Sequence, residues 1–273
     1  MIEPMQVKKL ETPPLILALA FVKFAQLPLK TFKDAVEQLH GAIRNDYPGL
    51  EEVKSQSIEL AVNNLGEADN LDIKQKQTEE SSFVFSSSDF SWVIIVSPVS
   101  LMVCTKKYNS FEDLLERVLR ILDILGENDG ITHTSNIGLR YINRIDINDD
   151  TGFDETINAG FLQPKISGFI GMGGSDMISV YQSEKSWCFV KTTLKIQGLD
   201  IPSELLFIAH KMKLGKEPVE NVFTSIDINS NTMTHEFQDF DLANIESCLK
   251  ELHGSVKKAF GSVLTDSELH RRS

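Results

Sequence analysis

Leu15 to Phe24 (LILALAFVKF) is apolar at every position but Lys23 and follows Pro13-Pro14, a pattern that predicts a buried strand. Helical spacing comes next. Phe32, Val36, Leu39 and Ile43 fall on one face of a helix that Thr31 would open, with Asp34 completing a shortened capping box and Pro48-Gly49 ending the run. Ile58 to Val62 reads as a strand, and the polar stretch from Asn63 to Ser82 as a loop around one weak strand. Phe83 and Phe85 alternate with small polar residues. The apolar run Trp92 to Lys106 is interrupted by Pro98, which predicts a hairpin because proline cannot donate to a central ladder. Ser110 then caps the clearest helix, whose stripe includes Leu114, Leu115, Val118, Ile121, Leu122 and Leu125. Gly126 is placed for a left-handed residue after its end.

The second half repeats this order loosely. His133 to Ile147 reads as a long strand, Asp154 to Ala159 as a short helix, and Met177–Gln182, Trp187–Ile196, Leu205–Met212 and Val222–Ile228 as strands. A last helix begins near Asp241 and aligns Leu242, Ile245, Leu249, Leu252, Val256 and Phe260. Strands joined by turns rather than alternating with helices predict an α+β protein of antiparallel sheets packed by long amphipathic helices. The two strand-helix-strands-helix halves, residues 1–128 and 129–273, meet near Gly126 to Gly130 and are expected to form one compact unit. No residue-level repeat links them.

Composition narrows the class. At 273 residues, with 41% hydrophobic and 24% charged positions, the chain can bury a core and is not a disordered polymer. Its 39 acidic against 27 basic residues give a net charge of -12, which repels nucleic-acid phosphates and suits docking on a basic partner. Cys104, Cys188 and Cys248 are odd in number and far apart, as expected of reduced thiols in a cytoplasmic protein. The Leu15–Phe24 run is too short to span a bilayer, so no membrane association is expected.

Catalytic signatures are missing: the sequence holds no GxSxG, HExxH, P-loop or zinc spacing, and no cofactor or metal is implied. The six histidines, His40, His133, His210, His235, His253 and His270, are scattered. Gly168, Gly171, Gly173 and Gly174 form a glycine-rich turn, but a strand follows it where a phosphate-binding turn needs a helix. The most unusual stretch is Gly138 to Asp146 (GLRYINRID). Alternation places Leu139, Tyr141, Asn143 and Ile145 on one face and Arg140, Ile142, Arg144 and Asp146 on the other. Two arginines two positions apart can clamp a phosphate or carboxylate ligand; they can equally pair with internal acids such as Asp227. Arg140, Tyr141 and Arg144 are therefore the candidate ligand-binding residues. Lys250, Lys257, Lys258 and the closing His270-Arg271-Arg272 form a small basic concentration without an aromatic stacking platform.

Several of these stretches resemble an uncharacterised, sporadically distributed bacterial family known by a numerical label. The resemblance rests on the proline-led strand at Pro13 to Ile16, Tyr47-Pro48 with Glu51, the Gly138–Asn143 strand, Ile226-Asp227-Ile228, and Leu252-His253 with Phe260. It implies a setting in mobile gene islands, including toxin–antitoxin and phage-defence loci, and carries no catalytic residues. The leading expectation is a non-enzymatic protein-binding or regulatory protein, antitoxin-like or accessory to phage defence, with a protein partner. Two alternatives stay open. One is a sensor or enzyme that holds a small anion between sheet and helices; the other is a nucleic-acid-contacting module using the C-terminal bases. Exposed sheet edges are also compatible with a homodimer.

Overall fold

The computed structural model describes residues 13–63, 72–127, 130–147, 152–164, 166–168, 174–195, 197–214, 218–219, 222–233 and 236–272. At its centre is β1 (Leu15–Phe24), which is apolar on both sides because both sides are covered. Leu17 and Leu19 enter one core, and Ala18, Ala20, Val22 and Phe24 enter another on the opposite face.

The helix that follows, α1 (Leu29–Ile43), begins two residues before Thr31 and has no side-chain cap. Pro28 precedes it in extended conformation, and its carbonyl accepts from Phe32 N at 2.9 Å. The proline, rather than a Thr31/Asp34 box, sets the helix start, since its fixed φ and missing N–H suit a helix entry. The four residues expected to be inward, Phe32, Val36, Leu39 and Ile43, are all buried.

A long hairpin of β2 (Gly49–Asn63) and β3 (Asp72–Ser86) comes next. Much of the stretch expected to be loop is thus the returning strand. Its main chain pairs with β2 at every position from Asp72 to Ser86, so the ladder holds it without the apolar alternation that announces a strand. Then β4 (Trp92–Ser97) and β5 (Ser100–Thr105) form the hairpin that Pro98 predicted, with Ser97 paired to Ser100 across it. Ser110 caps α2 (Phe111–Gly126), its hydroxyl accepting from Asp113 N at 3.2 Å. Gly126 is the last helical residue and is not left-handed; a Cβ there would lie 2.5 Å from the Phe240 ring, so close approach is what favours glycine.

In the second half, β6 (His133–Asp146) is followed by α3 (Phe153–Thr156), a 3-10 turn at Ala159–Phe161, β7 (Ser175–Gln182) and β8 (Ser186–Lys195). The segment expected to be a strand at Leu205–Met212 is a 3-10 turn, Ser203–Leu205, running into α4 (Leu206–Lys211). Leu205, Ile208, Ala209 and Met212 are buried while Leu206, Phe207 and His210 are exposed, a helical period that the short apolar run hid. β9 (Phe223–Thr232), the two-residue β10 (Gln238–Asp239), α5 (Leu242–Val263) and α6 (Asp266–Arg272) complete the order. Of the glycine-rich turn, Gly168 and Gly174 are left-handed and β7 follows; Gly171 and Gly173, like His235, lie outside the described residues.

All strands join one antiparallel sheet in the order β2-β3-β4-β5-β1-β6-β9-β8-β7, with β10 paired to the end of β6. β1 and β6 pair at its middle, Leu19 opposite Arg140. α1, α2 and α5 pack their apolar stripes on one face of the sheet and build the main core. On the other face, α4 covers Leu17, Leu19, Val93, Cys104 and Ile142 with a smaller core. Among the described residues no helix covers that second face beyond α4, toward β7.

Candidate functional site

β6 distributes the three candidate residues to opposite sides of the sheet. Arg140 and Arg144 face the α4 side, and Tyr141 faces the helix layer. Arg140 donates to both Asp227 oxygens, from Nε at 2.8 Å and from Nη2 at 2.5 Å, and also to Glu204 Oε1 at 2.6 Å. Arg144 meets Asp200 at 2.7 Å and Asp146 at 3.2 Å. The partner foreseen for these arginines, Asp227 on β9, is the one Arg140 takes. Burial works against the Arg140 charge, yet Asp227 and Glu204 outweigh it and raise its pKa above the ordinary value. The Arg140 bond in turn lowers the Glu204 pKa.

The acidic partners Asp200, Glu204 and Asp227 line a groove of about 380 Å3 between the Ser203–Leu206 turn and β7. On its floor Lys191 stands opposite Asp227 in register and pairs with Asp176 at 2.9 Å; Lys195 donates to the Leu199 carbonyl at 2.5 Å. Asp227 and Glu204 thereby answer Arg140, Asp200 and Asp146 answer Arg144, and Asp176 answers Lys191, while the groove lining itself holds four acids, Asp176, Asp200, Glu204 and Asp227, against two bases, Lys191 and Lys195. The groove has no surplus of positive charge to offer a small anion.

Beside the groove lies β7, the last strand of the sheet among the described residues. Ile178 is 63% exposed, Val180 52% and Phe189 40%, and Phe189 is the register partner of Val180. Strand alternation puts all three on the open side, because Cys188 and Val190 face the helix layer. Among the described residues no strand pairs with the outer side of β7. An apolar cluster next to unpaired main-chain donors and acceptors is a template for another strand.

On the helix side, Tyr141 lies in a cleft of about 320 Å3 between the β6 strand and the facing ends of α2 and α5. Its hydroxyl is 2.9 Å from the Tyr108 hydroxyl and 3.2 Å from His253 Nδ1. The His253 ring stacks on Phe111 at 4.1 Å and 2°. Burial pushes the Tyr108 pKa up to about 12 and the Tyr141 pKa well above the usual phenol range. Burial, reinforced by Lys257 and opposed by Glu112, brings His253 down to about 4. All three side chains are therefore uncharged at neutral pH.

The C-terminal bases are mostly committed. Arg271 and Arg272 each reach the buried Glu268 at 2.5 Å, and Lys250 pairs with Glu246 at 2.5 Å. Burial raises the pKa of all three thiols, Cys188 to about 11. Among the described residues no group of three metal-capable side chains comes together, and no helix is long and apolar enough to cross a membrane.

Sequence reading singled out Arg140, Tyr141 and Arg144 as candidates and did not bring forward the β7 edge or the Tyr108–Tyr141–His253 cluster. The alternation Ile178, Val180 beside Phe189 was legible, although nothing local says that a strand is last in its sheet. The cluster joins three elements distant in sequence and leaves no local signal. No family model matches the chain, and no curated protein matches it either.

Proposed function

We propose that this chain is a protein-binding or regulatory protein without chemistry of its own, which captures an extended segment of a basic partner along β7. The observation that carries the reading is the exposed trio Ile178, Val180 and Phe189 on and beside β7, with which no further strand pairs among the described residues. Strand addition supplies main-chain hydrogen bonds, alternate apolar side chains supply affinity, and the neighbouring charged groove selects the partner. The net charge of -12 favours a basic partner and speeds its approach. That is the behaviour of an antitoxin-like or defence-accessory subunit in the cytoplasm, the setting implied by the family resemblance and compatible with three free cysteines. The strand order, running outward from β1 and β6, also supports an origin of the two halves by duplication.

The test uses Ile178→Lys combined with Val180→Glu, both at exposed positions. The expected result is an unchanged melting temperature, a monomer in light scattering, and loss of the stoichiometric partner that the wild-type protein retains from its native host. Hydrogen exchange on the purified complex should show new protection at residues 175–182. Retention of the partner by the double variant, or protection elsewhere, would refute strand addition at β7. A homodimer dissolved by these substitutions would make the occupant a second copy and overturn the foreign-partner reading.

The small-anion alternative loses ground to the balanced charges around Arg140 and Arg144, and the nucleic-acid alternative to the pairing of Arg271 and Arg272.

A further inference from the structure

The cleft on the helix side faces away from β7 and has no part in strand capture. Its walls are chemically unusual for this protein. Five rings line it: Tyr108, Phe111, Tyr141, His253 and Phe260. Phe111 and His253 are already stacked parallel, and Tyr108 and Tyr141 meet edge to face at 5.3 Å between centroids. Rings of this kind present both flat faces and polarised edges, the surfaces against which another planar ring packs.

Charge limits the ligand further. Lys257 and Glu112 stand at the rim with opposite signs, so neither a carboxylate nor an ammonium gains a net advantage there. Three of the polar groups that line it are uncharged and joined in one chain, Tyr108 to Tyr141 to His253, while Asn109, Ser110 and Asn143 bond elsewhere. Such a chain has two polarities. In one, each hydroxyl donates toward His253, and the imidazole Nε2 is left as a donor. In the other, His253 Nδ1 donates to Tyr141, Tyr141 to Tyr108, and the Tyr108 hydroxyl becomes the outward donor while Nε2 accepts. Reversal costs no charge separation, so the two ends of the chain can offer one donor and one acceptor in either order to a ring that carries both. Its volume of about 320 Å3 is at the small end for ligand sites, enough for a one- or two-ring compound.

We infer that this cleft is a binding site for a small, neutral, planar heteroaromatic compound of nucleobase type, stacked among the aromatic walls with its polar edge on the Tyr108–Tyr141–His253 chain. A bound ring would bridge β6, α2 and α5.

Calorimetric titration and thermal shift with adenine test this, with indole, benzoate and cyclohexanol as comparators. Adenine should bind at one saturable site and raise the melting temperature. Indole, planar without the paired donor and acceptor, should bind several-fold more weakly, and charged benzoate and non-planar cyclohexanol at least tenfold more weakly. Tyr108→Phe keeps the ring and removes the terminal hydroxyl, and should weaken adenine three- to tenfold. Leu15→Trp, at the mouth of the cleft, should abolish binding while circular dichroism and melting confirm a folded protein. Adenine binding that survives Leu15→Trp, equal affinity for cyclohexanol, or no binding of adenine in the millimolar range would each overturn the assignment.

Discussion

Replacing Arg140 by methionine should destabilise the protein by about 2–3 kcal/mol, and the size follows from what is left behind. The Arg140 and Asp227 side chains are only 14% and 9% exposed, and the guanidinium takes both carboxylate oxygens. Methionine fills the space of the arginine stem but leaves Asp227 charged, buried and without its main partner. Breaking a buried pair in this way costs roughly 3–5 kcal/mol. Lys191, opposite Asp227 in register, can swing toward it and recover part of that. The more exposed Glu204 contact adds at most about 1 kcal/mol. Removing both charges is a different matter. Arg140→Met with Asp227→Leu abolishes the desolvation cost along with the attraction, so the double variant should lie within about 1 kcal/mol of wild type. Urea unfolding of the four proteins of this cycle measures the difference at constant m-value. If Arg140→Met alone shifts stability by less than about 0.5 kcal/mol, the pair is not the buried anchor of this face. If the double variant is as unstable as the sum of the singles, the cost comes from lost packing.

Other substitutions check separate parts of the molecule. His253 has a folded pKa of about 4, below its ordinary 6.5, so the unfolded state binds the proton more tightly. Stability should be full above pH 6.5 and fall as the pH drops toward 4, by about 1–2 kcal/mol after allowing for the partly exposed ring. His253→Gln should flatten that dependence in melting curves from pH 4 to 7.5, with Lys257 and Glu112 left in place. Ser110→Ala removes the acceptor for Asp113 N and should cost about 1 kcal/mol in urea unfolding. Gly130→Ala would push a Cβ into the Leu125 carbonyl, a main-chain group that cannot turn aside. A loss of about 1–3 kcal/mol is expected, measured by thermal melting, and no loss would mean that Gly130 and the Leu125 carbonyl can move apart at little cost.

Much of the sheet was legible where side-chain pattern and fold agree. β1 reads as buried on both faces because it is, and the α2 and α5 stripes map directly onto the main core. The pattern failed where another force holds the chain. β3 carries little apolar alternation and is fixed by its ladder to β2. α4 has too few turns for its period to stand out from the apolar run around it. The Arg140–Asp227 pair was within reach because alternation and charge together limit the possible partners. Tyr108 and His253 were not, since only the docking of the segment before α2 and of α5 against β6 brings them to Tyr141.

The pairing of β1 with β6 also has a consequence for synthesis on the ribosome. β1 is the most continuously apolar strand, and its second neighbour is encoded more than a hundred residues later. While the chain emerges, β1 can join β5 and bury one flank under α1 and α2. Its other flank stays an open, adhesive ladder until β6 arrives. The first half of the protein is thus born incomplete, and any delay between residues 105 and 133 lengthens the time in which two nascent chains can meet through that strand.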